Sequence, residues 1–173
     1  MSVQEIKNYT RSLIAATAHI HSKGIIHRDI KPNNFLFNRN TQTGMLVDFG
    51  LAQYANTTIC TIHKPWREPT STLSGVTGHV VDDPRPTFKP PTRAGTRGFR
   101  SPEVLLKYPN QSIAIDVWSC GVILATMFTG RYPIFHCQED VEALLELADI
   151  YGLDAMRKVA RYCGISYSFR TDI

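Results

Sequence analysis

The stretch Ile26-His27-Arg28-Asp29-Ile30-Lys31-Pro32-Asn33-Asn34 restricts the fold of this chain more than any other. It sets an acid, a cation and an amide at fixed offsets on one short loop between two apolar runs, Ile25-Ile26 and Phe35-Leu36-Phe37. Two further strings follow in order, Asp48-Phe49-Gly50 and Ser101-Pro102-Glu103. Each string alone is a weak signal. Three in this order and spacing require a scaffold that brings distant loops to one place.

The segments around these strings read as helices with a small strand region. Ser2 and Glu5 form a capping-box pattern, and Ile6, Leu13, Ile14, Thr17 and Ile20 recur at helical spacing up to Gly24, so Val3 to Lys23 is expected to be one amphipathic helix. Ile25-Ile26-His27 reads as a short strand. Phe35-Leu36-Phe37 and Met45-Leu46-Val47 read as a hairpin, with Asn38, Asn40 and Gly44 in its turn. From Gln53 to Arg93 the periodicity disappears and Pro and Thr are frequent, which predicts a long disordered insertion over 53–93. Pro102 suits the first position of a short helix. Ile113 to Thr129, closed by Gly130, reads as a buried apolar helix. Glu139 to Tyr151 and Asp154 to Cys163 read as two more, with Leu144, Leu145, Leu147, Ala148 and Ile150 as an apolar face. The last residues, Ser166 to Ile173, are expected to fray.

A chain of 173 residues fits one domain or one lobe of a larger one. Lys plus Arg number 19 against 15 Asp plus Glu, a formal charge of +4. That excess permits an acidic partner without demanding nucleic acid. The apolar run from Val117 to Phe128 is too short to span a bilayer, and nothing addresses the chain to a membrane. Met1 leads straight into an amphipathic segment, and Cys60, Cys120, Cys137 and Cys163 are scattered, so a reducing compartment is expected. Cys60-x-x-His63 with His79 lacks a second close pair of zinc ligands, and Cys120 reads as a core residue.

Together the three strings match the catalytic loop, the metal-binding turn and the end of the activation segment of protein kinases. The chain resembles a protein kinase C-terminal lobe, mainly α with a small β-hairpin region, over residues 1–173. More specifically it resembles the cell-division-cycle-seven serine/threonine kinases. That likeness is carried by Gly95 to Glu103, by Tyr108-Pro109-Asn110-Gln111 before Ala114-Ile115-Asp116, by Gly130-Arg131-Tyr132-Pro133, and by the long insertion after Asp48-Phe49-Gly50.

The resemblance implies roles for particular residues. Asp29 is the candidate base. Lys31 would neutralise charge on the transferred phosphoryl group, and Thr96 would bridge Asp29 and Lys31. Asn34 and Asp48, oxygen donors suited to a hard ion, would hold Mg²⁺ with ATP. Asn33 is a turn residue, and His27 packs in the core. Arg28, Glu103 and Asp116 support the site. Asp116 would hold the backbone of the catalytic loop, and Glu103 would pair with an Arg near the C-terminal helices, beyond which the chain is expected to stop short. Arg97 and Arg100 flank the place of the residue after the phosphorylated one and would favour an acidic or phosphorylated neighbour. As either solvated surface or substrate contacts they fit equally well.

Substrates implied are subunits of the minichromosome maintenance helicase, with a regulatory subunit of the dumbbell-former type, in the nucleus, during initiation of replication in the cell cycle. The departure from the family is the N-terminal lobe: no Gly-rich loop, strand Lys or partner Glu precedes residue 24. The 173 residues alone are therefore expected to be inactive as a kinase. The alternative reading is a non-catalytic, pseudokinase-like interaction module. A small-molecule phosphotransferase of the antibiotic kinase type has no reason to carry Thr96, Ser101-Pro102-Glu103 and Asp116-Val117-Trp118.

Overall fold

The computed structural model describes residues 1–55 and 95–164. The predicted insertion from 56 on, with Cys60, His63 and His79, and the C-terminal stretch from 165 lie outside the described residues. Helix α1 runs over Val3–Ser22. Its start is set locally: Ser2 Oγ accepts the Glu5 N–H at 3.2 Å, and Glu5 Oε2 accepts the Ser2 N–H at 2.7 Å. Gly24, with φ 70°, ends it in the left-handed conformation that a side chain would resist. The buried face of α1 is Tyr9, Leu13, Thr17 and Ile20. Ile14, expected on that face, is half exposed, and Tyr9 takes the place in the stripe.

Four short strands follow: β1 (Ile25–Ile26), β2 (Phe35–Asn38), β3 (Thr43–Leu46) and β4 (Gln53–Tyr54). They make two separate antiparallel pairs, β1 with β4 and β2 with β3. The second is the predicted hairpin, with Phe35 opposite Leu46 and Asn38 opposite Thr43. The first was not foreseen: Gln53 and Tyr54, assigned from the sequence to the insertion, pair with Ile26 and Ile25. Gly44 also belongs to a strand rather than the turn. It lies under the ring of Phe35, where a Cβ would overlap the ring carbons.

Helix α2 (Pro102–Leu105) opens with the expected Pro at its first position. Helix α3 (Ala114–Thr129) closes on Gly130 at φ 66°, whose N–H bonds to Thr126 O at 3.0 Å. Helices α4 (Asp140–Tyr151) and α5 (Leu153–Tyr162) are joined by Gly152. Helix α3 is buried on one side only: Ile115, Cys120 and Ile123 face the core, while Val117 and Phe128 are exposed. In α4 the buried face is Ala143, Leu144, Leu147 and Ala148. Leu145 and Ile150 point outward, because they fall on the other side of a 3.6-residue turn.

The core has two centres. Tyr9 and Leu13 of α1 meet Phe35, Phe99 and Ile123 in one, with the Tyr9 and Phe35 rings edge to face at 5.0 Å. Leu105, Leu144, Leu147 and Met156 of α2, α4 and α5 form the other, and Trp118 packs against both. Burying a side chain such as Leu13 or Leu147 contributes about 1.5–3 kcal/mol each. The loop 27–34 leaves β1 and enters β2, and the turn 48–50 leaves β3 before β4. The two strand pairs thus bracket both site segments.

Candidate active site

The loop carrying Asp29 is fixed from beneath by α3. Asp116 is fully buried. Its Oδ2 accepts the His27 N–H and its Oδ1 the Arg28 N–H, each at 2.8 Å. His21, from the last turn of α1, approaches the same Oδ2 through Nε2 at 2.8 Å. These bonds satisfy backbone groups that the loop's irregular shape leaves without partners. Arg28 sits at φ 70°, a conformation costing an L-residue about 1–2 kcal/mol, and the Asp116 carboxylate helps hold it there. The His27 ring is buried, with Nε2 at 3.2 Å from Val47 O and its centroid 4.8 Å from that of the Phe49 ring, the two planes tilted by 51°.

Asp29 receives three side-chain donors. Lys31 Nζ donates to Oδ2 at 2.8 Å, Thr96 Oγ1 to Oδ1 at 2.6 Å, and Asn34 Nδ2 to Oδ2 at 3.0 Å. Lys31 Nζ also donates to Thr96 Oγ1 at 2.8 Å, which closes a ring of three residues. Burial pushes the Asp29 carboxyl toward protonation. The Lys31 and Thr96 hydrogen bonds with the Lys31 charge outweigh it and hold the pKa below the usual carboxylate value. Such a group is ionised at neutral pH and is a weak proton acceptor. It can orient a hydroxyl and take its proton late, which suits a loose phosphoryl-transfer transition state with little early demand for a base.

Asn34 lies in a single 3₁₀ turn, Pro32–Asn34, whose first residue is the proline. Its amide NH₂ is committed to Asp29, to the main-chain O at 2.9 Å as well as the carboxylate. The carbonyl end is left as the ligand-capable atom. Val47 N–H bonds to Asn34 O at 2.9 Å, which ties the segment before Asp48 to the loop. Asp48 itself has φ 63° and is exposed, with the Gly50 N–H on Oδ1 at 3.3 Å. One neutral carbonyl and one exposed carboxylate fit Mg²⁺, which keeps waters and phosphate oxygens for its other positions. Among the described residues there is no group of three or more His, Cys, Asp and Glu suited to a metal.

The remaining predicted residues divide. Arg97 is exposed. Arg100 is not a free cation: Nε and Nη2 donate to Gly95 O at 3.0 and 2.8 Å, and Nη1 to Asp140 Oδ1 at 2.7 Å. Glu103 is half-buried in the first turn of α2, where a carboxylate is favoured. With burial, its charge pushes the nearby Cys163 thiol up to about 11. Two site residues escaped the sequence: His21, on Asp116, and Gln111, whose Oε1 accepts from Arg28 Nε at 3.2 Å. Gln111 stands in the Tyr108-Pro109-Asn110-Gln111 string already noted, but the partners of both residues lie far along the chain and nothing local marks the pairings.

Comparison with known proteins gives a consistent picture. A protein kinase domain model matches residues 1–169. The cell cycle protein kinase spo4 of Schizosaccharomyces pombe is 45% identical over 96% of this chain and 42% of its own length. A probable cell division control protein 7 homolog of Encephalitozoon cuniculi is 42% identical over 94% of the chain and 49% of its own length. The cell cycle serine/threonine-protein kinase hsk1 of Schizosaccharomyces pombe is 42% identical over 96% of the chain and 34% of its own length. The chain spans less than half the length of each of these relatives.

Proposed function

The chain belongs to the protein kinase family, among relatives of the cell-division-cycle-seven type, and from that premise we propose that it transfers the γ-phosphate of MgATP to Ser or Thr of protein substrates in control of the cell cycle. The observation that carries the proposal is the closed ring of Asp29, Lys31 and Thr96. A substrate hydroxyl approaching Asp29 meets an ionised carboxylate to orient it, and Lys31 lies beside the same point to offset phosphate charge. Asn34 and Asp48 would hold Mg²⁺, which neutralises the phosphate oxygens when bound. Leu36, two residues beyond Asn34, is exposed with its cross-strand partner Met45 and offers apolar surface for a nucleobase.

The finer assignment follows the sequence resemblance alone. Substrates would be subunits of the minichromosome maintenance helicase at the initiation of DNA replication, in the nucleus, with a dumbbell-former-type regulatory subunit. Exposed Arg97 supports a preference for an acidic or phosphorylated residue next to the acceptor. The 173 residues by themselves supply one wall of the nucleotide cleft and no strand Lys with its partner Glu, so negligible turnover is expected from them alone.

The test is a phosphotransfer assay on the intact protein with a Ser peptide flanked by acidic residues. Turnover is expected, and Asp29→Ala is expected to lower kcat by about 10²–10⁴-fold. Equal turnover by the variant would overturn the assignment of Asp29.

A further inference from the structure

The turn that carries Asp48 is pinned at both of its ends. On the upstream side the Val47 N–H bonds to Asn34 O at 2.9 Å. On the downstream side Leu51 O accepts from Arg28 Nη1 at 3.4 Å. Both ends are therefore tied to the loop that carries Asp29. The upstream tie is short and runs from main chain to main chain. The downstream tie is long, and it depends on where a flexible guanidinium is held.

Gln111 holds it. Its Oε1 accepts from Arg28 Nε at 3.2 Å. Among the described residues no other side chain accepts from that guanidinium, and Nη2 is buried without a partner. Arg28 as a whole is buried, so little water reaches it to replace a lost acceptor. Gln111 itself is well anchored. It stands just ahead of α3, whose start is bonded locally, the Ala114 N–H to Ser112 Oγ at 3.3 Å and the Ile115 N–H to Ser112 O at 3.2 Å. Further along the same stretch, Asp116 Oδ1 accepts the Arg28 N–H. The segment 111–116 thus grips Arg28 by its main chain and by its side chain.

We propose that Gln111 is a positioning residue for the metal-binding turn: by holding the Arg28 guanidinium against Leu51 O it fixes the downstream end of that turn, and so sets Asp48 against Asn34. The inference rests on the kinase reading above and deepens it. Gln111 acts only through Arg28. Without its amide oxygen, Leu51 O faces a guanidinium that no side chain anchors, and the end of the turn is free to move. Ordering that end at each binding event costs affinity for a nucleotide–metal complex. It costs nothing for the nucleotide alone, which does not use the Asp48 carboxylate.

The experiment measures MgADP binding to the intact protein by calorimetry, with ADP in excess EDTA alongside. Gln111→Leu keeps the bulk and removes the acceptor, Gln111→Asn leaves the amide one methylene short, and Gln111→Glu keeps an acceptor oxygen in reach. Asn8→Ala is the control, since it deletes a side-chain hydrogen bond of the same kind, to Gln42 at 2.8 Å, outside the site. MgADP affinity is expected to fall about threefold to tenfold in Gln111→Leu and Gln111→Asn, the effect of one hydrogen bond, with metal-free ADP unchanged. Gln111→Glu and Asn8→Ala should match the parent. In turnover, Gln111→Leu should raise KM for MgATP and leave KM for the peptide where it was. In an Arg28→Met background Gln111→Leu should add nothing, because the pair shares one interaction. Unchanged MgADP affinity in both the Leu and Asn variants, an equal fall for metal-free ADP, or a full further loss in the Arg28→Met background overturns the inference. Amide hydrogen exchange over 48–52 is read on the same proteins. Faster exchange in Gln111→Leu with parent rates in Gln111→Glu is expected, and equal rates in all of them count against the tie. A protein that binds no MgADP would sink the kinase reading, and the exchange rates would still decide the role of Gln111.

Discussion

Replacing Asp116 by Ala isolates the support beneath the catalytic loop. The carboxylate is fully buried and receives the His27 N–H, the Arg28 N–H and His21 Nε2, each at 2.8 Å. Its removal leaves two buried backbone N–H groups without an acceptor, at about 1–3 kcal/mol each, and the lost His21 contact adds about 1 kcal/mol. Relief of the carboxylate's own desolvation offsets part of this. A net loss of about 3 kcal/mol is expected, a large share of the ~5–15 kcal/mol that holds a domain together. His21→Ala should cost only about 1 kcal/mol, because both N–H groups keep their acceptor. The double variant should cost little more than Asp116→Ala, since the two share one interaction. Urea denaturation of the three variants reads these values from linear extrapolation. A loss below about 1 kcal/mol for Asp116→Ala, or an equal loss for His21→Ala, would refute the assignment of Asp116 as holder of the loop backbone.

Two other outcomes follow from the geometry. The folded Asp29 carboxyl titrates below its unfolded value. Its contribution to stability is therefore complete above the unfolded value and lost as pH falls through the lowered one. Thr96→Val removes the donor at 2.6 Å, so the acid limb of the melting-temperature curve should move to higher pH. Superimposable acid limbs would count against the Thr96 bond as a determinant of that charge. Gly44→Ala drives a methyl into the ring of Phe35, itself 3% exposed. A loss of about 1–3 kcal/mol is expected by thermal melting, and a neutral result would mean that the hairpin has room the structure does not show.

What the sequence reveals is what neighbours in the chain decide. The capping box of Ser2 and Glu5, the stop at Gly24, the hairpin and the Pro102 helix start all rest on residues within a few positions of one another. Asp29, Lys31 and Asn34 are legible for the same reason, as one short loop brings them together. The phase of a helix is less legible. Leu144 and Leu145 both fit an apolar window, and only packing against α2 and α5 buries the first and exposes the second. The β1–β4 pair is two residues long on each side, too short for any period to register. The partners His21 with Asp116, Gln111 with Arg28 and Asp140 with Arg100 lie 95, 83 and 40 positions apart. Polar side chains on helix ends and loops have many possible partners, and tertiary closure alone selects one.

Asp116 has a consequence for anyone wishing to move this chemistry elsewhere. The string Ile26 to Asn34 looks portable, because every residue that names it is contiguous. Yet the shape of its first half is dictated by a carboxylate on α3 and steadied by a ring on α1. Transplanted alone, the nine residues would carry the identities of the site without its geometry, since Arg28 has no reason to remain at φ 70° on another surface. The smallest unit that could be grafted is the loop together with the end of one helix and the start of another, drawn from three separate stretches of chain.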